Sequence, residues 1–188
     1  MNLRINYFLA ASRANGPGIR SVIWLQGCAF NCPGCCNPQT HSLIGGSLIT
    51  VDDMIEKVVT LSSTIEGITI SGGEPFLQTE ALYGLLSQIK QRSGLSVLVF
   101  SGYEKEVLEE IPQYRKCLDG IDALICGPYS LKSAPDYQRF CSSGNQVLWL
   151  LNDRYSEADF MNLTTNEVII REDGEIVVSG LGRIEGIE

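Results

Sequence analysis

The sequence predicts an α/β fold built on one sheet, and three observations carry that expectation. Short β-branched runs alternate with stretches of helical periodicity. Four of those runs end directly in a turn rich in glycine, proline or cysteine. No repeat, low-complexity tract or linker divides the 188 residues. Strands alternating with helices imply a parallel sheet with helices on one or both faces. A single domain over 1–188 is expected, with a core over about 1–151 and an extension over about 152–188.

Taken in order, a first strand is expected near Leu3 to Leu9, followed by the turn cluster Asn15-Gly16-Pro17-Gly18. Val22 to Leu25 is a short apolar run that reads as a buried strand ending at Gly27. Gly45-Gly46 marks a turn. Thr50 with Asp53 reads as an N-cap and its acidic third residue. Met54, Ile55, Val58, Val59 and Ile65 then keep helical spacing until Gly67, expected to stop the helix. Gly67 to Ser71 is a second short strand, running into Gly72-Gly73-Glu74-Pro75.

Thr79 begins a helix with Leu82, Leu85, Leu86 and Ile89 on one face, ending before Gly94. Ser96 to Phe100 is a strand followed by Ser101-Gly102-Tyr103, and Glu104 to Glu110 is helical until Pro112. Ile121 to Ile125 and Gln146 to Leu151 read as further strands, the former closed by Gly127-Pro128. Val168 to Val178 is a hairpin with an Asp173-Gly174 turn. In sheets of this kind, sites lie at the C-terminal ends of the strands. The cysteine loop after Gly27, Gly72-Gly73-Glu74-Pro75, Ser101-Gly102-Tyr103 and Gly127-Pro128 are therefore expected to meet on one rim.

Composition excludes several classes of function. A net charge of −8 argues against nucleic acid as a main partner. The first residues lack the apolar core of a signal peptide, and no apolar run is long enough to span a bilayer. A cytoplasmic protein with no membrane partner is expected. In that reducing setting, seven cysteines point to metal or redox chemistry rather than to a disulfide framework. Cys117, Cys126 and Cys141 are scattered and read as ordinary buried or semi-buried residues.

The remaining four cysteines, Cys28, Cys32, Cys35 and Cys36, fall within nine residues. Pro33 and Gly34 inside the C-x3-C-x2-C run require a loop. Such a loop can place three thiolates around a [4Fe–4S] cluster and leave one iron without a protein ligand. A zinc site and a disulfide pair are the other readings of the spacing, although no second cysteine pair follows and His41 stands alone. Cys36 is not expected to ligate, because its neighbour Cys35 is already committed. Gly72-Gly73 permits close approach of a ligand to the backbone, and Glu74 adds a carboxylate suited to an ammonium group. A plain strand-to-helix turn, with Glu74 favoured by a helix dipole, explains the same residues without a ligand. Tyr103, His41 and the acidic stretch Glu104 to Glu110 are assigned no chemistry.

Together Cys28-x3-Cys32-x2-Cys35 and Gly72-Gly73-Glu74-Pro75 resemble the radical S-adenosylmethionine (SAM) enzymes. The chain is further similar to the activating enzymes of glycyl-radical proteins, among them the anaerobic ribonucleotide reductase activating proteins. That likeness rests on Asn15-Gly16-Pro17-Gly18-Ile19-Arg20, Gln26-Gly27-Cys28, Cys32-Pro33-Gly34-Cys35, Ser101-Gly102-Tyr103, Asp122 through Gly127-Pro128, and Ser142-Ser143-Gly144-Asn145-Gln146.

The resemblance implies a partial (β/α)6-type barrel and a [4Fe–4S] cluster on Cys28, Cys32 and Cys35. It implies that SAM chelates the open iron, with Gly72, Gly73 and Glu74 holding the methionyl amino group. Gly34 and Cys36 are implied to lie beside adenine through their backbone. No catalytic residue is implied beyond the cluster and SAM site. The implied activity is reductive cleavage of SAM to a 5′-deoxyadenosyl radical that installs a glycyl radical on a partner enzyme. Flavodoxin or ferredoxin is the implied electron donor. A stand-alone radical SAM enzyme acting on a small molecule or peptide, and a non-enzymatic iron–sulfur electron carrier, are the alternatives. Two features depart from the family pattern: Cys36 stands where an aromatic residue or histidine is usual, and the chain extends beyond Asn152.

Overall fold

A computed structural model of the chain describes residues 1–181. The end of the expected extension, 182–188, lies outside the described residues. Nine strands are described: β1 Asn2–Ser12, β2 Arg20–Leu25, β3 Ser47–Thr50, β4 Gly67–Gly72, β5 Ser96–Ser101, β6 Ala123–Cys126, β7 Val147–Leu150, β8 Asn166–Ile170 and β9 Ile176–Gly180. Four α-helices accompany them: α1 Val51–Thr60, α2 Thr79–Arg92, α3 Lys105–Glu110 and α4 Pro112–Leu118. Seven strands form one sheet in the order β3-β1-β2-β4-β5-β6-β7, and β8 pairs with β9 in a separate hairpin.

The sheet is mixed rather than parallel throughout. β2, β4, β5 and β6 run parallel, whereas β1 is antiparallel to β2 and β3, and β7 is antiparallel to β6. Connection length explains the first reversal. Residues 13–19 between β1 and β2 form a turn, too short for the crossover that a parallel pair needs. The long connection between β6 and β7 carries a single 3₁₀ turn, Tyr137–Arg139, and no α-helix to pack on the sheet.

Local chemistry sets most helix limits. Thr50 caps α1, accepting from the Asp53 backbone N–H at 3.0 Å, while its hydroxyl donates to the Asp53 carboxylate at 2.6 Å. The helix ends at Thr60, earlier than its apolar spacing suggests. Ile65 is buried on the following turn, and Gly67 opens β4 instead of closing α1. Pro112 ends α3 as expected, yet it also starts α4, where its missing N–H costs nothing.

The apolar residues of the sheet alternate between two faces. Val97, Val99 and Leu124 pack with Met54, Ile55 and Val58 of α1 and with Leu82, Leu85, Leu86 and Ile89 of α2. Leu98, Ala123 and Ile125 point the other way, toward Phe140, Cys141, Phe160 and Leu181. The second face is therefore covered by irregular chain and by the C-terminal extension. At the start of the parallel strands, the fully buried Arg20 guanidinium donates to Thr69 Oγ1 at 2.8 Å, Ser96 Oγ at 2.9 Å and Tyr155 OH at 3.0 Å. It also donates to the carbonyls of Pro17, Ile68 and Ser96. Burial lowers its pKa from the ordinary value.

Candidate functional site

The site lies at the other ends of those strands. Loops leaving β2, β4, β5 and β6 share one cavity of about 130 Å³, lined by the four clustered cysteines and by Gly72, Gly73, Glu74, Ser101, Gly102 and Gly127. The rim expected from the sequence thus forms. Gly34 falls outside the cavity lining. It faces Leu131, whose Cδ1 stands 2.9 Å from where a Cβ would be.

Main-chain hydrogen bonds hold the start of the cysteine loop. Gly27 N–H donates to the Thr40 carbonyl at 2.7 Å and Cys28 N–H to the His41 carbonyl at 3.2 Å. The buried Gln26 amide spans the same loop, donating to the Ser42 carbonyl at 2.7 Å and accepting from Asn6 Nδ2 at 2.9 Å. Across the strand ends, Gly73 N–H donates to the Leu25 carbonyl and Glu74 N–H to the Gly27 carbonyl, each at 2.8 Å. A Cβ on Gly73 would overlap the Gly27 carbonyl. The space freed by this glycine is therefore taken by the chain itself, which draws the cysteine loop against the end of β4. Phe30 pins the same loop to the β5 end, its ring edge-on to Tyr103 with centroids 5.0 Å apart.

Within the loop, Cys35 N–H donates to the Cys32 carbonyl at 3.1 Å, closing a turn between the two cysteines. Partial burial raises the pKa of Cys28 and Cys35, so both thiols release a proton on ligating metal. Among the described residues, no three His, Cys, Asp or Glu side chains are grouped about one point as ligands of a single ion. A cubane needs no such convergence, because each sulfur binds a different iron. The donor set, three partly buried thiols on one loop around a cavity, fits that group. Cys36 differs from them, its Sγ donating to the Leu181 carbonyl at 3.6 Å. Cys117, Cys126 and Cys141 are buried free thiols away from the loop.

Glu74 has a role that its sequence position does not reveal. Its side chain is 1% exposed. Oε1 accepts from Phe76 N–H and Ser101 Oγ, both at 3.0 Å, and Oε2 accepts from Gly102 N–H at 2.7 Å. The carboxylate thus ties the β4 end to the β5 end. Burial pushes its pKa up to about 7, against the three donors.

Residue types alone left further lining residues unassigned: Asn15, Trp24, Phe100, Ser142, Gln146, Gly180 and Leu181. Asn15, Ser142 and Gln146 lie in stretches that carry the family likeness, which was the available signal. Trp24, Phe100 and Leu181 look like ordinary packing residues, and Gly180 like the end of a hairpin.

Fold and site together place a cysteine loop that fits a single iron–sulfur cluster on the rim of a mixed α/β sheet. The description 4Fe-4S single cluster domain matches residues 14–149, spanning the cysteine loop, the glycine pair and the strands that carry them. An anaerobic ribonucleoside-triphosphate reductase-activating protein of Enterobacteria phage T4 is 33% identical over 143 residues, 74% of this chain and 88% of that protein. Its namesake in Haemophilus influenzae is 31% identical over 142 residues, 71% of this chain and 89% of that protein. A pyruvate formate-lyase-activating enzyme of Clostridium pasteurianum is 33% identical over 112 residues, 57% of this chain but only 47% of that enzyme. The chain belongs to the 4Fe-4S single cluster domain family, among the radical SAM activating proteins of glycyl-radical enzymes. No described helix is long and apolar enough to cross a membrane.

Proposed function

We propose that this chain uses a [4Fe–4S] cluster on Cys28, Cys32 and Cys35 to cleave SAM, and that the hydrogen atom is drawn from a backbone glycine of a partner enzyme such as anaerobic ribonucleotide reductase. The observation that carries the reading is the shared cavity. Three thiols from the β2 end and the Gly72-Gly73-Glu74 turn from the β4 end line the same space. When bound, the cluster and SAM supply a one-electron reductive cleavage that yields methionine and a 5′-deoxyadenosyl radical.

The chain supplies placement and shielding. Backbone groups of Gly72 and Gly73 face the methionyl end, with Glu74 holding that turn rigid. The backbone of Cys36, which lines the cavity, would flank the adenine. Phe30 and Tyr103 brace the loop so that the cysteines keep one arrangement. The sheet, with β3 and β7 at its edges, is read as the partial barrel of the superfamily, and the extension as part of the same single domain. A flavodoxin or ferredoxin in the cytoplasm is the electron source in this reading.

The test is incubation of the anaerobically reconstituted protein with SAM, reductant and a candidate glycyl-radical enzyme. A glycyl-radical doublet in the partner's EPR spectrum, with stoichiometric 5′-deoxyadenosine, is the expected result. Transfer of deuterium from a labelled small molecule into 5′-deoxyadenosine, with no partner present, would sink the activase assignment.

A further inference from the structure

The family match ends at residue 149, yet residues beyond it reach the cavity. The chain after β7 crosses the uncovered face of the sheet, buries Phe160 against it, and forms the β8–β9 hairpin. Gly180 and Leu181, at the end of β9, then line the same space as the cysteines.

Their position is built in. Asn15 Nδ2 donates to Ser12 Oγ and Ser179 Oγ, each at 2.6 Å, and all three side chains are buried. Asn15 itself lines the cavity, so this network joins the hairpin to the cavity wall. Leu181 N–H donates to the Thr165 carbonyl at 2.8 Å, and the Leu181 carbonyl accepts from Cys36 Sγ at 3.6 Å. Gly180 holds φ of +139°, and a Cβ there would overlap the Thr165 carbonyl. A glycine in that backbone region lets the strand turn its last residue inward. Leu181 is 8% exposed, packed among Leu98, Phe140 and Phe160.

We infer that Gly180–Leu181 forms the wall against which the adenosyl half of SAM packs, so that the C-terminal segment is part of the binding site. The inference rests on the SAM reading above. It adds a contact from outside the region shared with the family. The chemical argument is the division of the cavity. The thiols and the Gly72–Glu74 turn suit the charged methionyl end, whereas Trp24, Phe100 and Leu181 give an apolar surface suited to a flat heteroaromatic ring. Leu181 lies against the carboxyl end of the cysteine loop through Cys36, which puts it within reach of a ligand held at that loop.

The test measures binding without turnover, by equilibrium dialysis of SAM and of 5′-deoxyadenosine against the oxidised, cluster-loaded full chain. In Leu181→Ala, affinity for both ligands is expected to fall about tenfold, the scale of losing a leucine's contact with a ligand. Iron and sulfide per chain are expected to stay at the wild-type level. Ser179→Ala, which releases the hairpin from Asn15, is expected to weaken both ligands in the same direction. Thr50→Ala is the control, since Thr50 caps α1 on the other face of the sheet and does not line the cavity. It is expected to lower the thermal midpoint and leave both affinities unchanged. Wild-type affinities in Leu181→Ala and Ser179→Ala would overturn the inference while leaving the SAM reading intact. Equal weakening by Thr50→Ala would overturn it as well, reducing the wall to a stability effect. A wild-type chain, fully cluster-loaded, that binds neither ligand would remove the SAM reading itself, and this inference with it.

Discussion

At Glu74 the carboxylate meets three donors of its own chain, Phe76 N–H, Ser101 Oγ and Gly102 N–H. A Glu74→Gln amide would turn an N–H₂ group toward at least one of the two backbone donors, leaving it unpaired in a buried place. The expected cost is about 1–3 kcal/mol in denaturant unfolding. The pH dependence has a definite sign. Burial raises the pKa from 4.5 to about 7, so the folded chain holds the proton more tightly than the unfolded chain does. The stability owed to this group is full below 4.5, declines as pH rises toward about 7, and is level above it. The stability of the wild type relative to Glu74→Gln is thus expected to shrink between pH 5 and 7, by up to about 1.4 kcal/mol per unit. A gap independent of pH across that range would count against the burial argument. The cysteines give a second prediction. Cys32→Ala is expected to lose most of its iron on anaerobic reconstitution, and Cys36→Ala to keep it, because Cys36 Sγ is directed to the Leu181 carbonyl. Spacing alone sets Cys36 apart from the other three, but it cannot show a contact 145 residues away in sequence.

Among the elements, legibility follows how much of the determining chemistry is local. The Thr50 cap, the buried face of α2 and the Asp173-Gly174 hairpin are encoded within a few residues, and each forms as its sequence indicates. Thr50→Ala is accordingly expected to cost about 1 kcal/mol, with Thr50→Ser restoring most of it, as read from urea midpoints. β3 and α4 are not legible in the same way. β3 is four residues with a largely exposed pattern, and it exists because β1 offers an edge from Asn2 to Ile5. α4 begins at a proline that also ends α3, so one residue carries both signals. Strand direction is likewise set by connection length and by what packs on the sheet, which apolar alternation does not record. The glycine pair shows the same limit at the site. Gly73 was legible as a place of close approach, but the approaching group is the Gly27 carbonyl of the cysteine loop. Gly73→Ala should therefore displace the loop and lower cluster occupancy, measurable as iron per chain. Full occupancy would show that the loop can shift without losing its cysteine arrangement.

At the scale of the whole molecule, the two ends of the parallel strands have separate tasks. The C-terminal ends carry the cysteine loop and the cavity, whereas the N-terminal ends are bound together by Arg20, which has no exposed surface. Its hydrogen-bond partners are all neutral: three carbonyl oxygens, the hydroxyls of Thr69 and Ser96, and Tyr155 OH. A buried cation with no carboxylate among its hydrogen-bond partners, and only the more distant charge of Asp122 to favour it, depends on those acceptors. Tyr155 is the one contributed by the C-terminal extension, and its hydroxyl also donates to Ser96 Oγ at 2.5 Å. The hydroxyl therefore fastens the extension to the end of the sheet farthest from the cavity, while Ser179 and Leu181 fasten it at the cavity. Tyr155→Phe removes the hydroxyl and leaves the ring packed edge-on to Phe160. The expected result is a loss of about 1.5–3 kcal/mol in guanidinium unfolding, the scale for a hydrogen bond to a charged group. Iron content and SAM affinity are expected to stay at wild-type values, since the cavity end keeps its own ties. Unchanged stability would show that the remaining acceptors suffice for Arg20. Weakened SAM binding at full iron content would show instead that the extension acts as one rigid lever between the two ends.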